Sequence, residues 1–439
     1  MRSEISTRLD SEILRLTLPA LGALAADPLV SMVDTVFVGR LGVVPLAALG
    51  VNTSIFALTF VVFNFLAYGT TPRVARAVGS GDRTGAGDVV MQAFLLALVV
   101  GGLVTLAVEL LAVPIVTLMG AGPDLREPTL SYLRIRALAG PAVLLVTAGH
   151  GAFRGYQDTR TPLLVTLGLN AVNLVLDPLF IFGFGWGLRG AALATLAAQW
   201  VGALWFAYLI LGSRRRELGI RPRVPGLAEI RPFLRIGGEL ALRTVALIST
   251  LTLATAVATR IGTVQVAAHQ VGTQIWLLLA MIVDSLAVAA QALVAGYRGA
   301  GDESMARRAS KRLLEWGLVS GLALAGLFFL LAPILPRLFT DEPAVLEVVG
   351  QIFPFVVAMQ PINAIVFVWD GVFMGAERFR FLAIQMAVSA VCAAIIILLV
   401  IPRGWGITGV WWGIVTLMVV RAITLAIGYR NPRLLSAGR

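Results

Sequence analysis

The sequence predicts an all-α integral membrane protein with twelve transmembrane helices in two six-helix lobes. Three observations support this prediction: long apolar runs, an internal repeat and a one-sided distribution of basic residues. Of the 439 residues, 58% are hydrophobic and 13% are charged, and the mean hydropathy is +0.88. This composition is typical of a membrane protein and excludes a soluble domain.

Twelve apolar runs are long enough to cross a bilayer, which requires about 20 residues per helix. The predicted spans cover residues 12–38, 46–72, 89–119, 129–153, 161–184, 190–213, 232–259, 265–296, 313–340, 344–374, 379–402 and 406–429. No short signal-peptide core with a small-residue cleavage site precedes the first run, so we expect that run to be retained. The connections leave no room for a soluble catalytic domain, and we expect the function to reside inside the bilayer.

The chain matches itself when it is shifted by about 220 residues. The matching segments include Arg40–Gly42 with Arg260–Gly262 and Gly79–Asp82 with Gly299–Asp302. Two related helical units are how many secondary transporters are built, with the substrate site near the interface between the halves. We therefore predict lobes at residues 1–213 and 232–439, joined by a polar cytoplasmic linker at residues 214–231.

A net charge of +11 by itself is compatible with a nucleic-acid partner, but its distribution indicates a membrane orientation. Most of the 35 lysines and arginines lie in the N-terminal segment, the loops after the even-numbered spans and the tail. The opposite side carries only Arg40, Arg126, Arg189, Arg260, Arg337 and Arg403. This asymmetry predicts a protein of the cell (inner) membrane with both termini in the cytoplasm. The expected partner of the basic residues is anionic lipid, and we expect no nucleic-acid partner.

The first predicted span carries two acidic residues, Asp27 and Asp34. A spacing of seven is two helical turns, so both carboxyl groups lie on one face of the helix, with Ser31 between them. Pro28 removes one backbone hydrogen bond and predicts a kink that frees a carbonyl oxygen. Ionisable residues at membrane depth are costly, and each is therefore a functional candidate.

The fifth predicted span carries a polar stripe made by Asn170, Asn173 and Asp177, and Pro178, a second candidate kink, follows it. Carboxylates and amide oxygens on two kinked helices form a plausible H⁺ or Na⁺ site. At the repeat offset, Asp34 corresponds to Ala254 and Asp177 to Ile397. The predicted ion site is therefore present in one lobe only.

The second lobe carries different charged groups. Glu239 and Arg243 are spaced i, i+4 and are predicted to pair with each other, while Asp284 and Asp370 lie in the eighth and tenth spans. Arg134 and Arg136 lie early in the fourth span. We interpret these groups chiefly as neutralised pairs that hold helices together, with the four in the second lobe kept as secondary functional candidates.

Several motifs that would indicate an enzyme or a nucleotide-driven pump are missing from this sequence. Gly185–Gly190 fits G-x-G-x-x-G but joins two membrane helices, and no lysine follows a glycine as a Walker A loop requires. Two histidines and one cysteine, Cys392, are too few for a metal cluster or an internal disulfide. We expect no enzymatic activity, no cofactor and no resident metal, with Na⁺ possible only at Asp34, Asp177 and Asn173.

Four segments together resemble the multidrug and toxic compound extrusion (MATE) family, most closely its DinF-like branch, over essentially the whole chain. They are Met32–Gly42, Tyr132–Ala137, Ala267–Val271 and Asp370–Gly375. The resemblance implies two six-helix lobes facing each other in a V, a central cavity, and export coupled to H⁺ or Na⁺ entry. It also implies that Asp34 is the cation-linked aspartate, with Asn173, Asp177 and Thr195 as partners and Tyr132 beside them.

We therefore predict a cation-coupled antiporter, driven by H⁺ in preference to Na⁺, that exports amphipathic and often cationic molecules by alternating access. The expected partners are small amphipathic or cationic substrates and membrane lipid, and a monomer suffices. A flippase for lipid-linked or polysaccharide precursors is the alternative within transport. A membrane enzyme acting on lipid diphosphates would need clustered acids, and the sequence has no D-D-x-x-D run.

Overall fold

The computed structural model describes residues 2–120, 122–221, 223 and 225–431, and within these ranges it is helical with no strand. Residues beyond 431, including the predicted basic tail at Arg433 and Arg439, lie outside the described part. The helices of the first half are α1 (Arg2–Gly39), α2 (Val43–Phe60), α3 (Phe65–Gly79), α4 (Arg83–Leu118), α5 (Pro123–Ala137), α6 (Gly140–Gly155), α7 (Arg160–Pro178) and α8 (Gly187–Tyr208).

The second half follows the same order. Its helices are α9 (Leu227–Ile261), α10 (Thr263–Gly299), α11 (Glu303–Leu331), α12 (Pro343–Ala358), α13 (Gln360–Gly375), α14 (Phe379–Leu398), the short α15 (Val400–Arg403) and α16 (Gly406–Arg430). Four short 3₁₀ or π turns connect or extend these helices: Val61–Asn64, Leu179–Gly183, Leu209–Ser213 and Leu335–Leu338. Helix α9 begins inside the linker predicted at residues 214–231 and continues without a break into the seventh span.

The twelve predicted spans agree with the helices. Among the described residues, ten helices are long and apolar enough to cross a membrane, and two bent pairs bring the number to twelve if each pair is one span. The first pair, α5 with α6, is bent by 49°, and the second, α12 with α13, by 48°. The predicted fold class is confirmed by this all-helical, multi-span architecture.

The internal repeat found in the sequence is also present in the helices. A shift of about 220 residues places Gly140–Gly155 on Gln360–Gly375, so α6 and α13 have matching ends. The loops before α4 and α11 match as well, because Asp82 caps one helix by accepting from the Gly85 amide at 2.8 Å and Asp302 caps the other from Met305 at 2.9 Å. The two halves are therefore copies of one structural unit.

The described residues fall into two compact units. One consists of Leu18–Gly237, and the other of Met1–Thr17 together with Gly238–Arg439. The first turns of α1 belong to the second unit, where the buried side chains of Ile13 and Leu16 pack in a core with Leu293 and Val372. The lobe boundaries predicted at residues 213 and 232 remain a prediction.

Glycines allow two pairs of helices to approach closely at equivalent places in the two units. A Cβ atom on Gly101 in α4 would lie 2.5 Å from the Pro141 Cα of α6. Its repeat partner, Gly321 in α11, would place a Cβ atom 2.7 Å from the Pro361 Cα of α13. Both contacts are with backbone atoms, which have little freedom to move, so each position requires a glycine.

We expect Gly101→Ala to destabilise the protein by about 1–3 kcal/mol, because the added methyl group would overlap the backbone of α6. The measurement is the midpoint of thermal or denaturant-induced unfolding of the purified protein. The adjacent Gly102 has no atom within 4 Å of its Cβ position. Gly102→Ala is therefore a matched control, and it should be neutral or stabilising by up to about 1 kcal/mol because alanine favours a helix. Equal destabilisation by both variants would contradict this assignment.

The two prolines that were predicted to kink their helices, Pro28 and Pro178, lie in different local structure. Helix α1 runs through both Pro19 and Pro28 without a break in its helical assignment, and a kink at Pro28 stays a prediction. Pro178 is the last residue of α7, and the chain then widens into the π turn Leu179–Gly183. The helix type therefore changes directly after Pro178, which follows Asp177, and a kink at Pro178 also stays a prediction.

Candidate functional site

A cavity of about 370 Å³ lies within the unit formed by Leu18–Gly237. It is bounded by helices α1, α2, α5, α7 and α8. Its walls combine charged, amide, hydroxyl and apolar side chains. The lining residues are Asp27, Val30, Ser31, Asp34, Thr35, Leu49, Thr53, Phe56, Ala57, Tyr132, Arg136, Leu169, Asn170, Asn173, Thr195, Ala198 and Gln199.

The structure brings together Asp34 and Asp177, the two acids that the sequence analysis identified as the main candidates for the ion site. The carboxyl groups of Asp34 on α1 and Asp177 on α7 lie close enough to interact directly with each other. Asn173, one turn before Asp177, donates to the Asp177 Oδ2 at 3.2 Å. Asp177 and Asn173 are only 1% and 3% exposed, and Asp34 is half-buried beside the cavity.

Contact between two carboxyl groups has a chemical consequence. An ionised carboxylate has no hydrogen to donate, so a hydrogen bond between Asp34 and Asp177 requires one of them to carry a proton. Two adjacent ionised carboxylates would also repel each other strongly in a poorly hydrated site. The Oδ1 atoms of both residues are buried and have no hydrogen-bond partner among the described residues. The chemistry of the pair fits a shared proton or a cation.

Asp27 has a partner of its own. The Asn170 Nδ2 on α7 donates to the Asp27 Oδ1 at 2.8 Å, and both residues line the cavity. Asp27 and Asp34 are two turns apart on α1, which separates their Cα atoms by about 10.5 Å. The two predicted polar faces of α1 and α7 thus meet at two levels: Asp27 with Asn170, and Asp34 with Asp177 and Asn173.

Tyr132 and Thr195, which only the family resemblance pointed to, also lie at the cavity. Tyr132 on α5 is 6% exposed and close enough to interact electrostatically with both Asp34 and Asp177. Thr195 on α8 donates its hydroxyl to the Ala191 carbonyl at 2.9 Å, which leaves its oxygen able to accept a further bond at the cavity wall. All seven polar residues predicted for the first half line the cavity or contact residues that do.

No group of three or more His, Cys, Asp or Glu residues that could hold a metal ion is found in the described ranges. Carboxylate, amide and hydroxyl oxygens are hard ligands that suit small cations such as Na⁺. Asp34, Asp177 and Asn173 supply such oxygens, so their chemistry fits Na⁺ as well as a proton.

The two arginines of α5, which the sequence analysis treated alike, have different environments in the structure. Arg134 is 55% exposed and lies 3.9 Å from the Glu109 carboxylate. Arg136 lines the cavity, with its guanidinium carbon 5.2 Å from the centroid of the Phe56 ring. A position two residues further along a helix faces a different direction, and hydropathy gave no sign of which arginine would face the cavity.

The second unit contains a buried charge cluster that the sequence showed only in part. The Asp370 Oδ2 on α13 accepts hydrogen bonds from Arg243 on α9 and from Arg421 on α16. The side chains of Asp370 and Arg421 are 4% and 1% exposed. The i, i+4 spacing pointed to Glu239 as the partner of Arg243, and the structure adds Asp370, which lies far away in the sequence. Asp284 is half-buried on α10.

Arg421 was missed as a site residue, although an arginine in the middle of the twelfth span is a usable signal. In the structure, Arg421 on α16 donates a hydrogen bond to the Asp370 carboxylate. The sequence predicted Glu239 as the partner of Arg243 and did not predict the contacts of Asp370 with Arg243 and Arg421.

The carboxyl pair of the first unit and the polar residues predicted with it have apolar counterparts at the equivalent positions of the second unit. At the repeat offset, the partners of Asp34, Asn173 and Asp177 are Ala254, Ala393 and Ile397, and each is 0% exposed. Thr195 and Tyr132 correspond to Ile414 and Ile352, which are also buried. Apolar side chains therefore fill the space where the first unit keeps its acids.

Repeated membrane-spanning units, with carboxyl groups beside a cavity in one of them, define a membrane transporter. The MatE family model matches residues 19–179 and 240–399, one segment in each half. The chain belongs to this family, the multidrug and toxic compound extrusion transporters, whose members are transporters and not enzymes.

Relatives and solved structures agree with this assignment. Protein DETOXIFICATION 44, chloroplastic, of Arabidopsis thaliana is 35% identical over 95% of this chain and 81% of its own length. DNA damage-inducible protein F of Escherichia coli is 26% identical over 97% of this chain and 93% of its length, consistent with the DinF-like branch. A multidrug resistance MATE transporter in an outward-facing conformation superimposes with a TM-score of 0.88, at 24% identity and over 98% and 97% of the two chains.

Proposed function

We propose that this protein is a proton-coupled antiporter that exports amphipathic, often cationic molecules by alternating access. The observation that carries the proposal is the carboxyl pair Asp34–Asp177 beside the cavity of the first unit. A pair that must share a proton when its members touch can release that proton when they separate. Its second charge then becomes available to hold a cation or a cationic substrate.

The coupling step follows from this chemistry. Proton uptake by the pair removes negative charge from the cavity wall and so weakens the attraction for a cationic substrate. Uptake also allows Asp34 and Asp177 to approach, which draws α1 toward α7. Pro28 leaves one carbonyl of α1 without its usual amide donor, so α1 can change its packing at a lower cost than an uninterrupted helix.

The membrane setting is part of the proposal. The arginine distribution supports both termini in the cytoplasm, in the cell (inner) membrane of the host. Protons then enter from outside as substrate leaves, and no cofactor takes part. The acidic cavity disfavours the anionic pyrophosphate cargo of a lipid-precursor flippase, since Asp27, Asp34 and Asp177 would repel it.

The test is ethidium efflux from proteoliposomes under separately imposed H⁺ and Na⁺ gradients. We expect an inward-directed proton gradient to drive export and a Na⁺ gradient of the same size to have little effect. Export driven by Na⁺ alone would reassign the ion while keeping the carboxyl pair as its site. Absence of export under either gradient would contradict the proposal and favour transport of a lipid-linked precursor.

A further inference from the structure

Arg136 is a cationic group in a cavity whose other charged residues are acids. It lies on α5, whereas Asp27 and Asp34 lie on α1. The cavity therefore presents positive and negative charge from different helices, which the proposed export of cations neither requires nor explains. Arg136 is half-buried and lines the cavity.

The guanidinium of Arg136 is held in place without an ion pair. Within the described ranges no carboxylate lies within salt-bridge distance of it, in contrast to Arg134 with Glu109 at 3.9 Å and Arg189 with Glu127 at 3.5 Å. One face of the guanidinium is directed at the Phe56 ring, at 5.2 Å from its centroid. Tyr132, one turn before Arg136, is in hydrogen-bonding contact with it.

These contacts orient the planar group and still leave donors for a ligand. Guanidinium has five N–H donors in a fixed fork that matches a carboxylate in two parallel hydrogen bonds. An aromatic face and a hydroxyl satisfy only a small part of that capacity. Asp34 acts on Arg136 electrostatically without forming a direct ion pair with it. A partly desolvated cation in that position gains more from direct contact with an anionic ligand than a fully hydrated one would.

We propose that Arg136 binds the carboxylate of zwitterionic aromatic substrates, whose amine faces the acids of α1. This inference rests on the proposed export function and assigns a specificity-determining residue to the same cavity. Asp27 is the natural amine partner because Asp34 is engaged with Asp177, while Asn170 leaves the second oxygen of Asp27 open. Apolar side chains between the charged groups can contact the aromatic body: Val30, Leu49, Ala57, Leu169 and Ala198.

The proposal distinguishes Arg136 from a residue that only shapes the site. A purely structural Arg136, holding Tyr132 or influencing Asp34, would affect every substrate alike. A carboxylate-binding Arg136 would affect only substrates that carry the carboxylate. The deciding quantity is therefore the ratio of affinities for two ligands that differ in that group alone.

The experiment compares norfloxacin, a zwitterion at neutral pH, with its methyl ester, a cation of nearly the same shape. Equilibrium binding of each to the purified protein in nanodiscs is measured for wild type, Arg136→Gln and Arg136→Lys. Arg134→Gln is the matched control, since it removes an arginine from the same helix outside the cavity. Efflux of both compounds from proteoliposomes under a proton gradient is measured in parallel.

We expect Arg136→Gln to weaken norfloxacin binding roughly 10- to 100-fold, the range for loss of a charge-assisted hydrogen-bonded pair. Binding of the ester should change by less than about twofold, since it has no carboxylate for the guanidinium to hold. Arg136→Lys should recover part of the loss because lysine keeps the charge without the fork. Arg134→Gln should leave both affinities unchanged.

Equal weakening of both ligands by Arg136→Gln would overturn the proposal, and so would unchanged binding of norfloxacin. Retained ester binding also shows that the variant is folded. Because binding is measured without a gradient, the result for Arg136 stands even if neither compound is exported. A failure of export with intact discrimination would contradict the proposed function alone.

Discussion

Asp34→Asn should reduce proton-driven ethidium export to the level of protein-free vesicles, and Asp177→Asn should do the same. Asparagine keeps the size and hydrogen-bonding capacity of the side chain but cannot gain or lose a proton at neutral pH. The pair in contact across α1 and α7 then loses the shared proton that its geometry requires. The measurement is initial efflux rate under an imposed proton gradient, at matched protein content.

Asp124→Asn serves as the control for this pair of variants. Asp124 is an exposed acid in the same unit, at the start of α5, and its replacement should leave the rate unchanged. Asp34→Glu should keep some activity, since it retains a titratable group. Normal gradient-driven export by Asp34→Asn would show that the coupling proton is carried elsewhere.

The largest expected effect on folding is at Asp370. Asp370→Asn should destabilise the protein by about 3–5 kcal/mol, because removing one partner of a buried ion pair leaves an uncompensated charge. The Arg421 side chain is only 1% exposed, and Arg243 loses the same carboxylate oxygen. The measurement is the midpoint of unfolding in a mixed-detergent titration of the purified protein.

Asp341→Asn is the matched control for that measurement, since Asp341 is exposed in the same half of the chain and should change stability by no more than about 0.5 kcal/mol. Replacing the cluster as a whole, with Arg243→Met, Asp370→Leu and Arg421→Met together, should recover part of the loss because apolar groups carry no desolvation cost. A midpoint unchanged in Asp370→Asn would mean that the arginines are neutralised by other groups.

Most of the architecture could be predicted from sequence because its signals are local and periodic. The lengths of the apolar runs predicted the membrane spans, and the similarity between the two halves of the sequence predicted the structural repeat. The acids of α1 and α7 were found because charge at membrane depth is rare, and their spacing placed each set on one helical face. These arguments need no knowledge of which helices are neighbours.

The remaining features depend on contacts between distant segments. Nothing in the spacing of Arg134 and Arg136 reveals that only the second faces the cavity. The partners of Asp370 lie on α9 and α16, more than 50 residues away along the chain in each direction. The pairing of Asp27 with Asn170 likewise joins α1 to α7. The periodicity of the sequence shows which face of a helix a residue lies on. Which other helix contacts that face depends on tertiary packing.

The difference between the two units has an electrical consequence. A transmembrane voltage does work only on charge that moves or changes within the field, about 2.3 kcal/mol per elementary charge for each 100 mV. Asp370 is fixed between Arg243 and Arg421, whereas under proton coupling the Asp34–Asp177 pair gains and loses charge. Under proton coupling, the membrane voltage would therefore act on one half of a duplicated chain, while the Asp370 cluster of the other half would keep its charges in place.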